Sequence, residues 1–343
     1  MISFSQPAAV AAALLFATCA TGAGGPNAAA IHQRVITFDA QMDIPADFMV
    51  GAKDVGNDTP MQVDLPKMEA GGLDGAAFVV FVGQDERSEA GFTQARAAAD
   101  AKLAAIEKML AVYPERIGLA RTADEAEQLV ADGLHFAMIS IVNAYPFGED
   151  LGWLADWHAR GLRLLAFTHA GHNQYADSNR PQARLGDAAA EHEGLSALGR
   201  RAIGEMNRLG IIIDVSQITP MAVMQAVELS RTPVVASHVG VRAIVDNPRN
   251  LTDEQMQAIA ARGGVVCSVA FNAYLRAPPA EQMADLAAIE QRFGLETFTE
   301  ARRKLNGEQL AEFGQAIAAW RARWPGATVA DLGDSIEDAV ELV

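Results

Sequence analysis

The chain of 343 residues reads as an α/β protein with a parallel sheet, either a (β/α)8 TIM-like barrel or a doubly wound fold. Three observations predict this. Short runs rich in Val, Ile and Phe recur along the chain, and most of them lack polar alternation, as strands buried on both faces do. Longer amphipathic stretches separate the runs, so strand and helix alternate. No glycine-rich phosphate fingerprint follows the first run, which leaves a dinucleotide fold without support.

The predicted strands are Val35–Phe38, Ala76–Val82, Phe136–Val142, Leu162–Phe167, Ile211–Val215, Val234–Ser237 and Gly264–Ala270. Predicted helices include Gln94–Val112, Gly194–Leu209, Pro220–Leu229 and Asp253–Ala261. The last has a clear start signal, with Thr252 as N-cap and Gln255 three residues on. Residues 275–327 read as a charged, largely helical insertion, and Val329–Val343 as an acidic helix. A (β/α)8 barrel needs one strand more than these seven, so residues 26–343 are expected to form a barrel lacking its eighth strand. Unpaired barrel edges would then favour self-association into a homo-oligomer.

Composition narrows the function classes. The formal net charge is −16 with no basic stripe, so nucleic acid and anionic lipid surfaces would be repelled. The two cysteines are Cys19 and Cys267. Cys267 sits in an apolar run and reads as a small buried hydrophobe, which leaves neither a disulfide nor a thiolate metal site. Residues 1–25 resemble an export leader: Ala8 to Ala20 is small and apolar and a Thr-Gly-Ala-Gly-Gly segment follows, although Lys and Arg are missing ahead of it. The expected location is periplasmic or extracellular, with a lipoprotein attached at Cys19 as the alternative. The run is too short for a transmembrane segment, which needs ~20 apolar residues.

Parallel α/β folds place chemistry at the carboxyl ends of strands. The first run leads into Asp39-Ala-Gln41-Met-Asp43-Ile-Pro, the third into Val142-Asn-Ala-Tyr, and the fourth into Thr-His169-Ala-Gly-His172-Asn173-Gln-Tyr-Ala-Asp177-Ser. The fifth ends Asp214-Val-Ser-Gln217 and the sixth Ser-His238, followed by Arg242 and Asn247-Pro-Arg249-Asn-Leu-Thr. Polar groups converge on nearly every strand end.

In these segments the chain resembles the membrane (renal) dipeptidase family of zinc metallopeptidases. The first is similar to the family's Asp-x-His-x-Asp-x-Pro opening, the fourth to its Leu-Thr-His…Asn…Ala-Asp-Ser, and the fifth and sixth to its Asp-x-Ser-His and Ser-His. The resemblance implies a (β/α)8 barrel holding two zinc ions that activate a water for hydrolysis of small peptides. It implies five ligands: the His and Asp of the opening, a bridging Glu after the third run, and a His after the fifth and in the sixth.

Carried over singly, Asp43 and His238 match, whereas Gln41, Val142 and Gln217 stand at the other three positions. Zinc prefers anionic or imidazole donors; an amide is a weak ligand, and valine offers no lone pair. The expectation is that no zinc binds tightly and that the hydrolase is inactive. Rearranged ligands that keep it active, or a peptide-binding pseudoenzyme, are the alternatives. By the resemblance, His169 contacts substrate and Arg249 holds its carboxylate, and the family's final active-site carboxylate lies on a strand beyond Val343. Plainer readings also stand: Asp43 and His238 as a buried hydrogen-bonded pair, His169 as a polar strand end, Arg249 as a loop cap, and His172 and His192 as ordinary loop histidines.

Overall fold

The structure is a computed structural model that describes residues 27–296, 298 and 301–342, with residues 302 and 303 as backbone. The leader read in residues 1–25, with Cys19, lies outside the described residues, as does Val343. The chain divides into a unit ending at Val35 and a second unit, Ile36–Val343. The first contains the short helix Ala28–His32, whose opening N–H is capped by Asn27.

The second unit is built on one parallel sheet. Its strands are β1 (Phe38–Asp43), β2 (Gly75–Phe81), β3 (Ile117–Leu119), β4 (His135–Val142), β5 (Leu162–Ala166), β6 (Ile212–Asp214), β7 (Val235–Val239) and β8 (Val265–Ser268). The hydrogen-bonded path runs β1-β2-β4-β5-β6-β7-β8, and β3 pairs with β4 outside it. All pairings are parallel. Seven strands thus curl into a nearly closed barrel, with helices on its outer face, as the seven runs imply. Among the described residues no strand joins β8 back to β1.

The differences from expectation have local causes. Val35 and Ile36 are about half exposed, and pairing starts at Phe38 opposite Gly75. The first strand therefore contains the polar Asp39–Asp43 stretch that hid it. β3 has only three residues, too few for a visible apolar run. Ser88 and Ser196 cap helices Glu89–Val112 and Ala197–Leu209, so the first starts before the expected Gln94 and the second after the expected Gly194. Pro220–Leu229 and Asp253–Ala261 form as expected, the latter with a reciprocal Thr252–Gln255 capping box. The insertion forms helices Ala280–Arg292, Ala301–Lys304 and Gly307–Arg323 around a small core of Leu295, Ala301 and Phe313. Helix Val329–Glu341 lies against β8, where Ser335 and Ser268 hydroxyls meet at 2.8 Å.

Alternation along the strands separates two apolar layers. Phe78, Val80, Ile139 and Ile141 point outward and pack with Leu103, Ile106 and Met109 of the long helix. The intervening Val79, Val142 and Ala166 form a separate inner cluster with Phe81 against it. Register places Val142 opposite both Phe81 and Ala166, so its side chain lines the barrel interior. Beside β1 a cavity of about 520 Å³ opens, lined by Gln41, Asp43, Phe78, Met109 and Phe271 among others.

The loop after β5 carries much of the mouth and is braced from below. The Asp177 carboxylate accepts from the backbone N–H groups of Glu191, His192 and Gly194 at 2.9–3.1 Å. Helix Ala197–Leu209 approaches so closely that a Cβ on Gly199 would sit 2.1 Å from the Tyr175 carbonyl oxygen. Gly199→Ala should therefore cost about 1–3 kcal/mol, as overpacking does. A urea denaturation midpoint unchanged by the substitution would contradict this packing.

Candidate functional site at the barrel mouth

Asp214, the last residue of β6, is buried beneath the mouth. Its Oδ1 accepts from the Ser216 hydroxyl at 2.5 Å and from the backbone N–H groups of Ser216 and Ser237 at 3.0 and 3.2 Å. Its Oδ2 accepts from the Ser237 hydroxyl at 2.5 Å. With its proton given to Asp214, the Ser237 oxygen can only accept from the His238 ring, whose Nδ1 is 2.7 Å away. The other ring nitrogen of His238 lies 2.7 Å from Nε2 of Gln217. Gln217 Oε1 in turn accepts from Nη2 of Arg180 at 2.9 Å.

These contacts have one consistent polarity. A guanidinium only donates, so Arg180 fixes the amide with oxygen toward itself and N–H toward His238. The His238 Nε2 lone pair is then an acceptor, and the ring proton sits on Nδ1. The chain runs from a cation through amide, imidazole and hydroxyl to a buried carboxylate. Burial, with Arg249 and Arg180 adding repulsion, holds the His238 pKa down to about 4 despite the opposing pull of Asp214, so the ring is neutral.

Arg249 is 2% exposed. Its Nη1 donates to the Ser216 carbonyl and its Nη2 to the His238 carbonyl, the latter at 2.9 Å, while the guanidinium carbon stands 5.3 Å from the Tyr274 ring centre. Burial lowers its pKa to about 10, still protonated at neutral pH. His169 packs on Phe81 with ring centres 4.5 Å apart. Burial first, then Arg180, Arg249 and His238, bring its pKa down to about 3. The sequence-derived residues His169, Gln217, His238 and Arg249 therefore converge.

The remaining residues behave differently. Asp43 is exposed and pairs with Lys102 at 3.4 Å, while Lys102 also donates to the Ile44 carbonyl. The hydrogen bond between Asp43 and His238, one of the plainer readings, does not form, because Lys102 takes the carboxylate and Gln217 takes the ring. The backbone N–H of Gln41 donates to Asp39, and its side-chain oxygen is buried without a partner. Val142 is 1% exposed among Val79 and Ala166. His172 and His192 are structural: the first takes the Ser178 N–H on Nδ1, and the second meets the Asn173 carbonyl. Sequence reasoning missed Arg180 altogether. It follows the Asp177-Ser178 motif by two residues, and its place after that motif was the available signal. Among the described residues no group of three or more His, Cys, Asp and Glu side chains is placed to hold a metal ion.

The low His169 pKa has a thermodynamic consequence. An unfolded imidazole protonates near 6.5 and the folded His169 near 3, so below pH 6.5 the unfolded chain binds the extra proton. Folding stability should be undiminished by this group above pH 6.5 and fall as pH drops, by on the order of 1–2 kcal/mol at pH 5. In NMR titration the His169 ring should stay neutral at pH 5; a midpoint near 6.5 would refute its burial.

Comparison with known proteins places the fold. The family model described as membrane dipeptidase (peptidase family M19) matches residues 26–343. The crystal structure of the probable dipeptidase PvdM from Pseudomonas aeruginosa is 34% identical with a TM-score of 0.80, covering 92% of this chain and 82% of that one. A metallo peptidase from Rhodobacter sphaeroides, liganded with a phosphinate mimic of the dipeptide L-Ala-D-Ala, shares the fold at 23% identity and a TM-score of 0.60, over 87% and 95% of the two chains. Dipeptidase tcpJ of Claviceps purpurea (strain 20.1) is 26% identical over 240 residues, 69% of this chain and 53% of its own length. The chain spans about half the length of the curated relatives it matches.

Proposed function

We propose that this chain, which belongs to the membrane dipeptidase family, has lost that family's zinc chemistry and keeps its barrel mouth as a binding site for small peptides or amino acids. One observation carries the reading: the His238 lone pair that would face a metal is already satisfied by the Gln217 amide, and Arg180 fixes that amide's orientation.

The residues present do not fit a pair of zinc ions. Two divalent cations ~3.5–4 Å apart need a bridging anion between them. The position where the family resemblance expects that anion carries Val142, packed in an apolar layer. Gln41 and Gln217 offer neutral amides, Asp43 is engaged by Lys102, and Arg180 brings a positive charge to the same cluster. Losing even ligand-orienting partners typically costs roughly 10–100-fold in metal affinity, so loss of three ligands should leave no tight site.

What the chain retains suits recognition. Arg249 would hold a ligand carboxylate through its planar fork, and neutral His169 would contact the ligand body beside Phe81. We also read residues 1–25 as an export leader; among the described residues no helix is long and apolar enough to cross a membrane. The unpaired edges of β1 and β8 are the surfaces through which self-association would run.

Metal analysis of the purified chain after dialysis against zinc tests the reading. Far less than one zinc per chain is expected, together with no turnover of an alanyl dipeptide. Stoichiometric tight zinc, or hydrolysis abolished by a chelator, would overturn it.

A further inference from the structure

The charge balance at the mouth goes beyond loss of a metal. Arg180 and Arg249 both clamp the strand end after β6, Arg180 on the Gln217 side chain and Arg249 on the Ser216 carbonyl. Their partners are an amide, two backbone carbonyls and the Tyr274 side chain, with no carboxylate among them. The Nε atoms of both are buried without a partner. Asp214, whose charge Arg249 senses, is occupied below by two serine hydroxyls and two backbone N–H groups.

A guanidinium taken out of water without a counter-ion is costly, and a site that holds one buried (Arg249) and one half-buried (Arg180) would be completed by anions from outside. This holds although the chain as a whole carries a net charge of −16, which would repel anions anywhere else on its surface. Arginine suits the role, because its fork presents two parallel N–H groups to one carboxylate and each guanidinium here has donors left over.

We infer that Arg180 supplies positive charge at the mouth without any metal, and that with Arg249 it forms a site for a small molecule bearing two carboxylates. The inference rests on the reading that the mouth binds without zinc and adds the ligand class. Arg249 takes the carboxylate that any peptide-like ligand carries. Arg180 takes the second one, which selects acidic ligands over neutral ones of the same shape.

The test uses an isosteric pair. The full chain, stripped of metal with a chelator, is titrated calorimetrically with L-alanyl-L-glutamate and with L-alanyl-L-glutamine, which differ by one carboxylate. The glutamate dipeptide should bind at least about tenfold tighter, as a charge-assisted bidentate contact warrants. Arg180→Gln should abolish that preference, while Arg180→Lys, which keeps the charge and loses the fork, should retain part of it. Equal affinity for the two dipeptides, a preference that survives Arg180→Gln in a chain with unchanged near-UV circular dichroism, or absence of heat with both would each overturn the inference. Stoichiometric zinc would instead sink the underlying reading, and it is measured separately on the untreated chain.

Discussion

The grip of Arg180 on the Gln217 amide oxygen sets the state of the whole barrel mouth. A guanidinium cannot accept a hydrogen bond, so the amide has one orientation, and each group below inherits its role from the one above. His238 accepts on Nε2 and donates from Nδ1, Ser237 accepts and then donates, and Asp214 ends the chain as an anion. From the Gln217 amide down to Asp214 each of these contacts is paired, and such a buried network is rigid because any rearrangement leaves a polar group unpaired. A metal ligand needs a free lone pair. This network leaves none on His238.

On the proposal that the zinc chemistry is lost, the same residues explain how the family's framework would persist without it. The parallel strands and the outer helices are held by apolar packing and backbone hydrogen bonds away from the mouth, and the loop after β5 is braced from below by Asp177. Replacing ligands therefore changes the electrostatics of the mouth while the scaffold stands. On that proposal the mouth would no longer gather carboxylates and imidazoles around cations, and it would display the guanidinium groups of Arg180 and Arg249 instead. Val142 fits this account, since an isolated carboxylate in its apolar layer would face a heavy desolvation penalty with no metal to offset it.

Much of this was legible in the sequence, for reasons that differ by element. The strands β2, β4 and β5 are continuous apolar runs because both faces are buried, and burial on both faces is what such a run encodes. Thr252 and Gln255 announced their helix start chemically. β1 was misplaced because its strand is made of the polar residues that line the mouth, and β3 was missed because three residues carry no period. His169, Gln217, His238 and Arg249 could be placed because strand ends of a parallel barrel converge. Arg180 could not be, since its role depends on a loop conformation set by Asp177 and Gly199. Nor could the pairing of Asp43 with Lys102, from a helix distant in sequence.

Gln217 donates to His238 and thereby occupies the nitrogen a metal would use. Long-range nitrogen NMR of the histidine rings measures this directly, because protonated and bare imidazole nitrogens resonate far apart. His238 should show a proton on Nδ1 and a hydrogen-bonded, unprotonated Nε2, with both signals unmoved by added zinc. A proton on Nε2, or a displacement of that resonance on zinc addition, would contradict the account.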